Sequence, residues 1–141
     1  MTIEPKIFSP AEPLPEHREA LVRLLDEYND AFFPDPSQNM ALLINDPDTG
    51  KLIGGLWGIS YWQWLFIDQL VIPALYRGQG VGTKLLRQAE DIARERGCVG
   101  VWLFTHSFQA PRFYEKMGYA AFGQIPDYPP GQNCTFFRKF L

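Results

Sequence analysis

Six residues, Arg77-Gly78-Gln79-Gly80-Val81-Gly82, decide how this chain folds. They lie between a strand candidate that ends near Ile72 and the clearest amphipathic helix of the sequence, predicted over Gly80–Arg96. Glycines weaken a helix start, since each costs about 1 kcal/mol relative to alanine. Without Cβ atoms, however, their N–H groups can approach a ligand closely, and a helix N-terminus carries roughly half a positive charge. The stretch therefore predicts a turn that can bind a phosphate or pyrophosphate group.

Two other phosphate-binding motifs fit this stretch poorly, and one interpretation needs no ligand. Gly78-x-Gly80 opens the dinucleotide-binding fingerprint, but Thr83 or Lys84 stands where its third glycine would be. A phosphate-loop NTPase would end the turn in Gly-Lys-Ser/Thr, which this sequence does not have. A tight strand-to-helix turn without a ligand stays open as the plainest interpretation.

The composition favours a single folded domain. The chain has 141 residues, of which 46% are hydrophobic and 21% charged, which fits one domain over residues 1–141. Its net charge of -3 argues against general nucleic-acid binding, which depends on basic residues. No apolar run is long enough to span a bilayer, and the first residues lack the pattern of a signal peptide. Cys98 and Cys134 suggest neither a metal cluster nor a disulfide framework. We expect a soluble cytoplasmic protein without a metal.

Hydrophobic periodicity and turn signals predict the element order β-α-β-β-β-α-β-α-β-β. Such an order is typical of an α/β (α+β) fold in which a mixed sheet of about six to seven strands is flanked by about three helices. The strands are predicted at Ile3–Phe8, Met40–Asn45, Lys51–Tyr61, Trp64–Ile72, Val99–Phe104, Tyr119–Phe122 and Cys134–Phe140, and the helices at Glu16–Asn29, Gly80–Arg96 and Ala110–Met117.

The glycine turn resembles the coenzyme A pyrophosphate loop, Arg/Gln-x-x-Gly-x-Gly/Ala, of the GNAT N-acetyltransferase superfamily. The segment before it, Ile67-Asp68-Gln69-Leu70-Val71-Ile72-Pro73, resembles the fourth strand of that fold, which has a twisted, mostly antiparallel sheet. The resemblance implies acetyl-CoA as co-substrate, no metal, and backbone contacts from the strand to the pantetheine arm. The implied cofactor-binding residues are Leu70, Val71, Ile72, Arg77, Gly78, Gln79, Gly80, Val81, Gly82 and Thr83.

A second segment, residues 110–119, resembles the other signature of the superfamily, Ala-x-x-Phe-Tyr-x-x-x-Gly-Phe/Tyr. Helical spacing alone puts Tyr114 on the rim of the apolar face, where it could simply pack its ring. The resemblance implies instead that Tyr114 is the general acid toward the coenzyme A thiolate. Many family members carry Asn three residues before the alanine, whereas this chain has Ser107, which could contact the pantetheine arm with a shorter reach.

Other residues have two interpretations each. Asp68 interrupts an apolar strand, so it either faces solvent or, as the resemblance implies, accepts the proton of the amine. Trp57, Trp62 and Trp64 either pack in the core and hairpin or line the acceptor pocket. Acidic residues at the end of the first helix either form a solvated face or favour a cationic acceptor; these are Asp26, Glu27 and Asp30.

The resemblance predicts an enzyme that transfers an acetyl group from acetyl-CoA to a primary amine of a small molecule or peptide by direct attack. The alternative is a non-catalytic acyl-coenzyme A-binding or regulatory module of the same fold, and the presence of Tyr114 favours the enzyme. A nucleotide-binding protein would need a phosphate-binding lysine and a Mg²⁺-binding Ser/Thr, which the turn lacks. We expect no nucleic-acid or membrane partner. Dimers are common in the superfamily, which makes a homodimer a candidate assembly.

Overall fold

The computed structural model describes residues 2–141, which divide into two compact units, 2–35 and Pro36–Leu141. The first unit consists of an irregular segment and the helix α1, Pro15–Asp30. The predicted first strand at Ile3–Phe8 is wrong, because residues 2–10 form no strand. Pro5 within that segment lacks a backbone N–H, so it cannot donate to a strand partner. The apolar side chains of α1 are exposed.

The second unit is built on one sheet with the strand order β1-β2-β3-β4-β6-β5. Only β3 and β4 pair in parallel, and all other neighbours are antiparallel. The predicted mixed, mostly antiparallel sheet is therefore confirmed. Its strands are β1 (Gln38–Asn45), β2 (Leu52–Tyr61), β3 (Trp64–Val71), β4 (Gly100–His106), β5 (Ala120–Pro126) and β6 (Asn133–Phe140).

Two helices complete this unit, α2 (Val81–Glu95) and α3 (Pro111–Lys116). The apolar stripe of α2 is buried in the same core as the inward side chains of the central strands. Burial of large apolar side chains of this kind contributes about 1.5–3 kcal/mol each to folding. The fully or almost fully buried side chains include Leu56, Leu65, Leu86, Val101, Leu103 and Phe137.

The strands β3 and β4 pair at one end and separate at the other. Their ladder covers only Trp64–Phe66 against Gly100–Trp102. A Cβ atom at residue 100 would collide with the ring of Trp64, so Gly100 is needed where the two strands meet. Beyond this ladder β3 continues to Val71, still paired with β2, and β4 continues to His106, still paired with β6. The facing edges therefore border a wedge-shaped gap in the middle of the sheet.

A β-bulge lies in β3 at the edge of this gap. Gln69 pairs with Trp57 and Ile67 pairs with Gly58, which leaves Asp68 as the extra residue. A bulge redirects a side chain and bends its strand, and bulges are frequent beside active sites. The bulge explains how a carboxylate can occur in a strand whose neighbouring side chains Leu65 and Ile67 are buried.

Candidate active site

The gap between β3 and β4 opens into a cleft of about 780 Å³. One wall is β3 from Ile67 onward with the turn that follows it, and the other is the end of β4 with the start of α3. The glycine turn and the second signature segment, residues 110–119, thus meet in one place. Of the predicted site residues, the structure brings together at the cleft Asp68, Leu70, Val71, Ile72, Arg77, Gly78, Gly80, Val81, Gly82, Thr83 and Tyr114.

The glycine turn presents its backbone to the cleft. Gly78 and Gly80 have φ angles of +73° and +77°, a left-handed conformation that other residues adopt only with strain. Gly80 is also the N-cap of α2, so the unpaired N–H groups of the first helical turn follow directly. No atom lies within 4 Å of the Cβ position at either glycine. The turn is therefore an open cradle of the kind that binds an anionic phosphate group.

Two side chains hold this turn in shape. The Arg77 Nε donates a hydrogen bond to the carbonyl oxygen of Ile72 at 3.3 Å. The Gln79 Nε2 donates to the carbonyl oxygen of Leu75 at 2.9 Å, and Gln79 is not among the side chains that line the cleft. The structure thus shows Gln79 in a bracing position within the turn, while its predicted cofactor contact stays a prediction.

Tyr114 is the buried residue of α3, with 7% of its surface exposed, and is deeper than the rim position predicted from helical spacing. Its ring packs against Phe113, Tyr119 and Phe137. Its hydroxyl makes no hydrogen bond with another residue in the range 2–141. Every fully buried side-chain oxygen in that range has a hydrogen-bond partner, so the Tyr114 hydroxyl is not fully buried. The hydroxyl is therefore accessible from the cleft that Tyr114 lines. Burial raises the pKa of Tyr114 to about 12, which keeps the phenol protonated at neutral pH.

Comparison with known proteins agrees with this geometry. The model of the acetyltransferase (GNAT) family matches residues 6–119. The chain belongs to this family. The match covers both signature segments, and the six-stranded sheet with its three helices agrees with solved family structures.

Three relatives show the degree of similarity. Blasticidin-S acetyltransferase from Streptomyces morookaense is 49% identical over 95 residues, which cover 67% of this chain and 70% of that protein. A crystal structure of a putative acetyltransferase from Agrobacterium tumefaciens has 32% identity and a TM-score of 0.84, with all of both chains covered. A putative streptothricin acetyltransferase from Bacillus anthracis, solved in complex with acetyl coenzyme A, has 22% identity and a TM-score of 0.61 over 81% of this chain and 68% of that one. The predicted enzyme class is confirmed: the chain is a GNAT N-acetyltransferase.

Within the cleft of this family member, charge is sparse. Asp68 and Arg77 are the charged side chains among the described residues that line it. Asp68 is exposed at the bulge and belongs to the cleft lining, and its predicted role as proton acceptor stays a prediction. Arg77 belongs to the turn at the α2 end. Asp68 is therefore the one acidic side chain among the described residues that line the cleft.

Ser107 lies just beyond the cleft lining. Its hydroxyl donates to the Gln132 side-chain oxygen at 2.5 Å and accepts from the backbone N–H of Asn133 at 3.0 Å. These bonds tie the end of β4 to the loop between β5 and β6. The predicted contact of Ser107 with the pantetheine arm stays a prediction, and the structure shows its hydroxyl engaged elsewhere.

A buried polar network lies behind Tyr114. The Tyr119 hydroxyl donates to a carboxylate oxygen of Glu90 at 3.3 Å, and the Lys139 ammonium contacts both Glu90 oxygens at 2.9 and 3.0 Å. Only 2% of Glu90 is exposed, so its charge depends on these partners. Burial and the neighbouring Glu90 raise the pKa of Tyr119 well above its usual range. The network connects α2, β6 and Tyr119, the residue directly before β5.

Sequence reasoning missed the aromatic side chains that line the cleft. Phe104, Phe108 and Phe113 all contribute to its walls. Period-two alternation in β4 assigns Phe104 to the face opposite Leu103. The alternation does not reveal that β3 and β4 have separated at this point, which is why Phe104 borders the cleft. Trp57, Trp62 and Trp64 are not among the residues that line the cleft, and the ring of Trp64 packs against Phe140. Cys98 and Cys134 are both buried.

Two kinds of structural element are absent from residues 2–141. No helix in this range is long and apolar enough to cross a membrane. No group of three or more His, Cys, Asp or Glu side chains in the described range is arranged to hold a metal ion.

Proposed function

We propose that the chain transfers the acetyl group of acetyl-CoA to a primary amine of a small molecule or peptide by direct attack. The observation that carries this proposal is the accessible, unpaired hydroxyl of Tyr114 in the same cleft as the glycine turn. One wall of that cleft can hold a pyrophosphate group and the other offers a proton donor. Together they provide what transfer from a thioester requires.

The donor is bound by backbone groups in this proposal. The pyrophosphate lies against the N–H groups of residues 78–83, next to Arg77 and the positive end of α2. The pantetheine arm lies along Leu70–Ile72, because the edge of β3 that faces β4 has no strand partner there. One N–H of this edge polarises the thioester carbonyl, a role that needs a donor about 2.7–3.1 Å from the oxygen.

The reaction then follows from the groups at the cleft. The neutral amine nitrogen attacks the thioester carbon, a C–N bond forms, and the C–S bond breaks. Tyr114 donates its proton to the departing sulfur and regains a proton from solvent. Asp68 takes the proton that the amine loses, directly or through water. Because the desolvation that raises the pKa of Tyr114 also disfavours a thiolate in the same cleft, protonation of the sulfur removes a charge that the site stabilises poorly.

The relatives suggest the acceptors to try first. Because one relative is blasticidin-S acetyltransferase, we propose blasticidin S as a candidate acceptor for this chain as well. Asp68 favours a cationic amine. Free-thiol release from acetyl-CoA, measured across blasticidin S, streptothricin, polyamines and short peptides, tests the proposal. If no amine in this panel stimulates thiol release by a folded protein that binds coenzyme A, the proposed reaction is wrong.

We also propose one acetyltransferase domain over residues 1–141. The family model matches residues from both compact units, 2–35 and Pro36–Leu141, which supports this assignment. A homodimer stays a proposal whose test is the molar mass of the protein in solution by light scattering.

A further inference from the structure

A stack of three flat rings lies at the mouth of the cleft. The His106 ring is parallel to that of Phe108, with centroids 5.7 Å apart and planes at 10°, and to that of Tyr128, with centroids 5.3 Å apart and planes at 3°. The Nδ1 of His106 lies 2.9 Å from the Tyr128 carbonyl oxygen, so this nitrogen carries the proton and donates it. The outer rings, Phe108 and Tyr128, remain 61% and 52% exposed. Each outer ring therefore has a face that is free for a further flat group.

Hydrogen bonds fix this stack in place. The Gln109 side-chain oxygen accepts from the backbone N–H of His106 at 2.9 Å and from the Thr105 hydroxyl at 3.1 Å. The Ser107 hydroxyl joins the same turn to Gln132 and Asn133 in the β5–β6 loop. Because hydrogen bonds join the turn after β4 to the β5–β6 loop, the three rings are already held in place before a ligand binds. Binding a ligand would therefore cost little conformational entropy in these side chains.

The stack is continuous with the cleft. Phe108 lines the cleft together with Phe104, whose ring lies 6.2 Å from that of His106. Asp68 lines the same cleft. Aromatic faces attract both flat rings and cations, and a carboxylate attracts an ammonium group. An amine that carries a planar unsaturated ring could use both features at once.

We infer that Phe108, backed by His106 and Tyr128, forms an acceptor subsite for a planar ring, so that the acceptors of this enzyme are cationic amines attached to an aromatic or heteroaromatic group. This inference rests on the proposed function and deepens it, since it names the substrate class of the same cleft. The amine end of the acceptor points toward Asp68 while its ring stacks on Phe108. Exposed aromatic side chains with a fixed orientation provide such contact area at a low cost in conformational entropy.

The test compares benzylamine with cyclohexylmethylamine, which has the same carbon skeleton but a puckered, saturated ring. Both are primary amines with one six-membered carbon ring on the same linker. Their dissociation constants are measured by calorimetry with the full chain saturated with coenzyme A, so the comparison needs no turnover. We expect benzylamine to bind about 3- to 10-fold more tightly, the range typical of an aromatic pair.

Substitutions at one position then assign the preference to the stack. Phe108→Leu keeps an apolar side chain of similar size but removes the flat face, so the preference for benzylamine should disappear. Phe108→Tyr keeps the ring and should retain it. Phe140→Leu is the matched control, because Phe140 is an exposed ring of β6 outside the cleft, and it should change neither dissociation constant.

Each result is decisive for the subsite. Equal affinities in the wild-type chain, a preference that survives Phe108→Leu, or no binding of either probe would overturn the inference. The proposed function fails separately, through thiol release. If the chain acetylates amines but does not prefer benzylamine, the proposed reaction stands and the aromatic subsite is wrong. If the chain prefers benzylamine but releases no coenzyme A from acetyl-CoA with any amine, the aromatic subsite stands and the proposed reaction is wrong.

Discussion

Replacing Tyr114 by phenylalanine separates chemistry from packing at this position. The substitution keeps the ring, which packs against Phe113 at a centroid distance of 5.1 Å and against Tyr119 at 6.0 Å. It removes a hydroxyl that has no protein partner within residues 2–141, so no buried group is left without a hydrogen bond. We therefore expect the free energy of unfolding at neutral pH to change by less than about 1 kcal/mol.

The expected loss of activity follows from the pKa of the donor. General acid catalysis typically contributes about 10²–10⁴-fold to a rate. Burial raises the pKa of Tyr114 to about 12, which makes it a weaker acid than a tyrosine in water. We therefore expect kcat to fall toward the lower end of that range, by about 10²-fold. The assay is thiol release at saturating acetyl-CoA and acceptor, with coenzyme A affinity measured by calorimetry.

Tyr119→Phe is the matched control for this experiment. It removes a hydroxyl that donates to the buried Glu90 carboxylate, and hydrogen bonds to charged groups contribute about 1.5–3 kcal/mol. The bond is long at 3.3 Å, so we expect a loss near the lower limit. Tyr119 does not line the cleft, and kcat should stay unchanged. A Tyr114→Phe enzyme with normal kcat, or one whose lost activity is matched by lost stability, would refute the assigned role.

Three further predictions concern stability and cofactor binding. Above pH 10 the unfolded chain ionises Tyr114 while the folded chain keeps it protonated, so the free energy of unfolding measured in urea should fall by about 2–3 kcal/mol between pH 10 and pH 12, and the fall should be smaller in Tyr114→Phe; an identical loss in both proteins would contradict it. Gly82→Val should weaken coenzyme A binding in calorimetry, because a Cβ there already lies 3.4 Å from the Phe113 ring and a branched side chain would project over the turn; a folded variant with normal affinity would exclude the site. Glu90→Gln should lower the free energy of unfolding by about 3 kcal/mol, because it leaves Lys139 without its buried counter-charge. If this loss of stability is smaller at 1 M salt than at 0.1 M salt, the ion pair is screened by solvent and the reasoning is wrong.

The order of helices and strands in residues 38–141 was predictable because turn chemistry and periodicity agree there. The β1–β2 hairpin shows this: the Asp46 carboxylate accepts the N–H groups of Asp48 and Thr49, and Gly50 has a φ of +72°. The tight β2–β3 turn shows the opposite case, since Trp62 and Gln63 adopt φ angles of +48° and +63° without any glycine. Its position was found from the flanking strands alone.

The site was predictable only where a local motif carries it. The glycine turn and Tyr114 were found because their neighbours in sequence define them. The stacked rings of His106, Phe108 and Tyr128 were not found, because the loop that carries Tyr128 reaches β4 only through tertiary pairing. The depth of Tyr114 was also underestimated, since helical spacing does not reveal that Tyr119 and Phe137 close over its ring.

The separation of β3 and β4 also affects how exposed strand edges could pair with another copy of the chain. Two strand edges with unpaired backbone groups face each other across the cleft, from Ile67 and Leu103 onward. Unpaired edges at the border of a sheet can recruit strands from other molecules and start assembly into fibres. Here the edges are inside the sheet, where a second chain would have to enter a gap between two strands that are already joined at one end. The fold can therefore keep hydrogen-bonding groups free for a ligand while it denies them to another copy of itself.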